Sequence, residues 1–284
     1  MYLGAHVSIS GGMDRAIERG TAMGAACIQT FASPPRTLMF NPFTNEQIAH
    51  YLSARQDSSI KLHVFHAVYL VNLASEKPDY LRASIESLTH YQHLAGQLGA
   101  IGTIFHIGSH KGLGFETVKQ QIGRAIAEIT HATPPNVRII IENAAGHAGT
   151  VGQTTEELAR VFDEIEAAGG EMSQVGLCLD TQHAFANGVD ARNEDGLNIY
   201  LDEIDHRIGL SYLQVIHAND SKVEVGSHKD RHENIGDGLL GSEGIGHWLN
   251  HPKLTHLPFI LEVPGTQKEG PQKSDLDRLK ALLK

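Results

Sequence analysis

The chain has 284 residues, 41% of them hydrophobic and 20% charged, with a formal net charge of −10. This is an ordinary soluble globular composition, and the length suits one large domain, residues 1–284, built on a single core. The acidic balance argues against a broad basic surface for nucleic acid, and no apolar run of about 18 residues is available to span a membrane.

The elements follow in chain order. Short, β-branched, almost continuously apolar runs occur at 3–9, 26–31, 61–66, 101–107, 137–143, 175–180, 212–220 and 258–263. Such runs suit parallel strands covered on both faces. Amphipathic stretches lie between them, clearest at 80–99 and 154–170. The second of these opens on threonines that can cap a helix, carries acids in its first turn and ends in Gly-Gly. Strand and helix alternating eight times predict a (β/α)8 TIM barrel with its site at the C-terminal face of the strands. Cys27 and Cys178 lie inside apolar runs, which fits a reducing cytoplasm. The N-terminus shows no basic segment followed by an apolar one, so no secretory signal is expected.

The predicted strands end on residues of one chemical kind. His66, His106, Glu142, Asp180, His217 and Glu262 follow one another at intervals of about one βα unit. In a barrel they converge on one mouth. His183 stands three residues after Asp180, and the glycine-flanked stretch GSHKDRHENIGDG adds Asp230 and His232. Five imidazoles and four carboxylates are too many for one tetrahedral ion and suit two or three divalent ions sharing carboxylates. Without cations, four clustered carboxylates would resist joint ionisation. Among the other histidines, His6 is expected to line the site and His110 to lie near the mouth. His63 is free to face either way on its strand. His228 competes with His232 only if that stretch is helical. Asn143, Asn219 and Asp220 are candidates for orienting the imidazoles.

The blocks GAHVSISGG, YLVNLAS, FHIGSHKG, IENAAG, LDTQHAFANG, IHANDSK, DRHENIGDG and ILEVPG, in this order from residue 3 to about 265, resemble the endonuclease IV family of abasic-site DNA repair enzymes. The resemblance implies a xylose-isomerase-like barrel with three zinc ions, for which manganese is a substitute. His66, His106 and Glu142 would hold one ion. Glu142, Asp180, His217 and Glu262 would hold the second, with Glu142 shared, and His183, Asp230 and His232 the third. Glu142 and Glu262 would be the catalytic carboxylates. Arg36, Tyr69 and Leu70 match residues that enter DNA at the abasic gap.

The implied reaction is hydrolysis of the phosphodiester 5′ to an abasic site in duplex DNA, leaving a 3′-hydroxyl and a 5′-deoxyribose phosphate. Neither a membrane nor a protein partner is implied, and nothing demands more than a monomer. The chain departs from the pattern around Gly146, at Asp237 and Leu239, in the residues flanking Arg36, and at Gln182, where a cysteine is frequent. The alternative is a sugar isomerase or epimerase on the same barrel with one or two divalent ions. Glu142, Asp180, His217 and Glu262 would suffice for it, leaving the other ligands idle.

Overall fold

The computed structural model describes residues 1–34, 36–147 and 149–284. Eight parallel strands close into a barrel. They are β1 (Tyr2–His6), β2 (Cys27–Thr30), β3 (Leu62–His66), β4 (Gly102–Phe105), β5 (Arg138–Glu142), β6 (Val175–Asp180), β7 (Leu213–His217) and β10 (Pro258–Leu261). Around the barrel they run in the order β1-β10-β7-β6-β5-β4-β3-β2. The intervening β8 (Asp220–Ser221) and β9 (His232–Glu233) form a separate antiparallel pair. The helices are α1 (Met13–Met23), α2 (Asn45–Gln56), α3 (Pro78–Leu98), α4 (Phe115–Ala132), α5 (Thr155–Ala167), α6 (Thr181–Ala186), α7 (Glu194–Arg207), α8 (Gly241–Asn250) and α9 (Lys273–Lys280). The expected TIM barrel is therefore present. None of the described helices is long and apolar enough to cross a membrane.

Local chemistry accounts for the element ends. Thr154 caps α5 by accepting from the Glu157 amide at 3.1 Å. Pro78 opens α3, and Gly99 closes it at φ 63°, in the left-handed region that glycine enters without a Cβ clash. Gly4 answers a different need, because a Cβ there would overlap the Cys27 carbonyl of the adjacent strand. Several strands are shorter than their apolar runs. The run 212–220 ends its barrel pairing at His217, and its last residue turns away into β8.

The period of two along each strand positions the site. Phe65, Phe105, Ile141, Leu179, Ile216 and Leu261 belong to the large core shared with the helices. Their neighbours Val64, Ile104, Ile140, Cys178, Val215 and Ile260, with Cys27 of β2, form a second cluster, one layer inside the barrel. Two residues further along each strand the next inward layer begins. It consists of His66, His106, Glu142, Asp180, His217 and Glu262. The same count from Gly4 and Cys27 reaches His6 and Gln29.

Candidate metal centre

Three contiguous groups of ligand-type atoms occupy the barrel mouth. His66, His106 and Glu142 form one, and Glu142, Asp180, His217 and Glu262 the next. Asp180, His183 and His232 form the third, and within each group the atoms lie within 4.8 Å of one another. Glu142 stands at the junction of the first two. Its Oε2 is 3.0 Å from His66 Nε2 and 3.4 Å from His106 Nε2, and its Oε1 is 2.9 Å from His217 Nδ1.

The third group differs from the expected set in having Asp180 in place of Asp230. The cause is local. Asp180 ends β6 and caps α6, its Oδ1 accepting from the His183 amide at 2.9 Å. That single turn folds His183 back over the strand end. Asp230 lies against the same group, with Oδ2 3.5 Å from His183 Nε2 and Oδ1 3.4 Å from His232 Nε2. His232 Nε2 is also 3.6 Å from Asp180 Oδ2.

The imidazoles are held in defined tautomers. A carbonyl oxygen can only accept, so the ring nitrogen facing it carries a proton. His66 Nδ1 donates to the Ala67 carbonyl at 2.7 Å, and His183 Nδ1 to the Asn143 carbonyl at 2.9 Å. His217 Nε2 donates to Gln29 Oε1 at 2.8 Å, an orientation fixed because Gln29 Nε2 donates to Glu262 Oε1 at 2.6 Å. The remaining nitrogen of each ring points into the cluster. Nε2 of His183 and of His232 are buried without a hydrogen-bond partner among the described residues. Two orphaned imidazole nitrogens aimed at carboxylate oxygens beyond hydrogen-bond reach suit a divalent cation between them. The donor set, imidazole and carboxylate without thiolate, suits zinc or manganese.

Charge tells the same story. Burial alone would lower the His183 pKa, but the nearby carboxylates of Asp180, Asp230 and Glu142 outweigh it and raise it to about 10. His66 is raised likewise, burial being overcome by its hydrogen bond to Glu142. Burial pulls His106 down despite the same carboxylate. Burial would raise Glu142 and Glu262, yet the surrounding imidazoles hold Glu142 well below the carboxylate range and Glu262 down to about 2. Both carboxylates are therefore ionised and ready to meet cations.

Of the candidate orienting groups, Asn219 donates to Asp180 Oδ2 at 2.6 Å and accepts from the Glu262 amide at 2.8 Å. Asn143 accepts from the Asp180 amide at 2.6 Å. Asp220 orients no imidazole. Its carboxylate accepts from the amides of Ser221, Gly236, Gly238, Leu240 and Gly241, which fixes the chain on the far side of the loop. Gln29 is the residue that sequence reasoning missed. It orients both His217 and Glu262 and donates to His6 Nδ1 at 3.1 Å. His6 does line the site. His63 faces outward between Thr30 and Tyr51. His110 accepts from the Gly112 and Gly114 amides in its own loop. His228, at φ 55°, is not helical and pairs with Asn187.

A cleft of about 640 Å³ opens above the cluster, lined by Tyr69, Leu70, His106, His183 and Asp230 and by the cations Lys77, Lys111, Lys229 and Arg231. Tyr69 is 64% exposed although its ring lies 5.7 Å from that of His66 and 5.8 Å from that of His106. Leu70 is also exposed. Arg36 is exposed on the loop that follows β2.

A family model described as a xylose isomerase-like TIM barrel matches residues 17–282. A probable endonuclease 4 from Methanosphaerula palustris is 39% identical over 265 residues, covering 92% of this chain and 91% of that one. The crystal structure of endonuclease IV from Thermus thermophilus superposes with a TM-score of 0.85 at 32% identity, covering 99% of this chain and 98% of that one. A D-tagatose 3-epimerase-like protein matches with a TM-score of 0.70 at 18% identity, covering 99% of this chain and 95% of that one, a likeness of fold alone. The resemblance carried by the strand-end motifs is borne out: this chain belongs to the endonuclease 4 family of xylose isomerase-like TIM barrels.

Proposed function

We propose that this chain is a metal-dependent endonuclease that hydrolyses the phosphodiester 5′ to an abasic nucleotide in duplex DNA. One observation carries the reading: eight ligand-type side chains meet at one open mouth in three contiguous groups, and Asp230 lies against the third as a ninth. A sugar epimerase would use only the middle group. The matched endonuclease 4 sequences support the same choice.

His66, His106 and Glu142 would hold one zinc ion, and Glu142, Asp180, His217 and Glu262 a second. His183, Asp230 and His232 would hold the third, beside Asp180. Bound there, zinc supplies Lewis-acid charge that brings the pKa of water toward ~7 and offsets the charge of the reacting phosphate.

The side chains have separate tasks. Glu262, kept ionised and fixed by Gln29, orients the attacking water and accepts hydrogen bonds from it. Water oxygen bonds to phosphorus and gives up a proton, the bond from phosphorus to the 3′ oxygen breaks, and that oxygen takes up a proton from the surrounding water to end as a hydroxyl. The 5′-deoxyribose phosphate stays on the other fragment. Tyr69 and Leu70, with Arg36 on its separate loop, would fill the gap left by the missing base, where flipping the sugar costs less than in intact DNA. Lys111, Lys229 and Arg231 would meet the backbone, so local charge at the mouth prevails over the acidic net charge. The free, buried Cys27 and Cys178 suit a reducing cytoplasm.

The test is a labelled duplex carrying one tetrahydrofuran abasic analogue, beside an intact duplex, with and without prolonged chelation. The analogue resists β-elimination, so a cut reports hydrolysis. A single chelator-sensitive cut 5′ to the analogue, absent from intact DNA, is expected. No cut by zinc-replete folded protein would overturn the proposal in favour of a sugar epimerase.

A further inference from the structure

The loop that carries Asp230 rests on a buried amide. Gln182 is fully buried on the first turn of α6, between the cap Asp180 and His183. Its Nε2 donates to the Lys229 carbonyl at 3.0 Å, and its Oε1 accepts from the Arg231 amide at 3.3 Å. The side chain thus grips the peptide groups on either side of Asp230 as a neighbouring strand would. Asp230 needs such support, because its side chain is 54% exposed and it lies outside any helix or strand. Apart from the Arg231 guanidinium, which donates to the Asp230 carbonyl from within the loop, the other ties act further along the chain. Gly226 and His228 donate to Phe185 and Ala186 at 3.0 Å each, and Lys222 donates to the Arg231 carbonyl at 2.9 Å.

We propose that Gln182 is a positioning residue for the third metal group. Its bidentate grip on the loop sets the Asp230 carboxylate against His183, which stands next to Gln182 on the same helical turn. The proposal rests on the three-metal reading above. It assigns a task to one of the positions where the chain departs from the pattern of its resemblance. A cysteine there has one weak donor and cannot serve both a carbonyl and an amide. Glutamine has both functions at the right separation. Outer groups that orient a ligand typically change metal affinity or activity about 10- to 100-fold when removed.

The experiment uses zinc-loaded full-length protein. Zinc per chain is measured by mass spectrometry, and zinc release by transfer to a colorimetric chelator. Gln182→Leu keeps the volume and removes both hydrogen bonds to the loop, together with the longer one to Ser221 Oγ. One zinc per chain should leave about 10- to 100-fold faster than in the parent protein, with release of the others unchanged. On abasic DNA kcat should fall while KM holds, and added zinc should restore kcat. Gln182→Glu keeps the acceptor and loses the donor, so its release rate should fall between the two. It also carries the test if thermal melting shows Gln182→Leu to be misfolded. Release of every zinc at the parent rate from the folded variants would overturn the positioning role while leaving the three-metal reading intact. A parent protein that binds fewer than three zinc ions would overturn both.

Discussion

The two ends of the metal cluster are built differently. His66, Glu142, Asp180 and His217 are all but fully buried and stand on paired barrel strands. Each is paired in register with a neighbouring strand, and His217 with two. Asp230, in contrast, stands on a loop and is half-exposed, and His232 begins a strand of only two residues. Side chains and backbone from α6 hold that loop. The difference teaches that one cluster combines a rigid floor with an adjustable wall. Ligand loss at the floor should damage the fold and the chemistry together, whereas loss at the wall should remove one ion and spare the barrel.

Mutation of the floor should have the largest effect. Glu142→Gln keeps the shape but removes the charge that faces four imidazoles. It should lower kcat/KM on abasic DNA by at least about 10³-fold and cost more than one zinc per chain. Retention of three ions and near-normal rates would break the comparison. Asp230→Ala should lose one zinc and about 100-fold in activity while the barrel stays folded. A chelated variant that fails to fold would show the wall to be structural as well.

Acidity separates the two ends in metal-free protein. His183 links them, and its folded pKa of about 10 lies above the ordinary value of 6.5. A raised folded pKa gives stability that is complete below the unfolded value and is lost as pH climbs through the folded one. Chelated protein should therefore lose of the order of a few kcal/mol between pH 6.5 and 10. Zinc-loaded protein should stay level, because the cation replaces the proton. At the acid end Glu262 acts with the opposite sign, its contribution fading as pH falls from 4.5 through about 2. Thermal melts across pH, with and without chelator, check both limbs. The smallest effect belongs to the rim. Tyr69→Ala should raise KM on abasic DNA about tenfold, the worth of a lost stacking contact, with zinc content unchanged. Arg36→Ala should flatten the salt dependence of binding by about one ion.

Most of the floor is legible in the sequence, and the period of two explains why. Each strand-borne ligand stands two residues after an apolar inner-layer residue, so Ile140 and Glu142 or Val215 and His217 announce each other. Gln29 obeys the same rule, two residues after Cys27. It escapes notice because glutamine is not a ligand type, although a polar residue deep in an apolar strand is the available signal. The wall is less legible. Asp230 and His232 stand out by residue type, but the β8–β9 pair is too short to show alternation. The grip of Gln182 on the loop joins residues more than 40 positions apart, which no local pattern encodes. Asp180 is expected in one group and stands beside two, because its capping of α6 turns His183 back upon it. Asp220 looks like an orienting group for an imidazole and instead gathers five backbone amides.

That gathering has a consequence for how the protein can be altered. Asp220 is completely buried, and its bonds to the segment 236–241 close the far side of the loop independently of any ion. The near side is closed by the pairing of β8 with β9. Residues 222–231 are therefore clipped at both ends to a frame that holds without a metal, and the bonds from α6 decide where Asp230 stands between the clips. A change inside the segment that spares those bonds should leave the barrel beneath it folded.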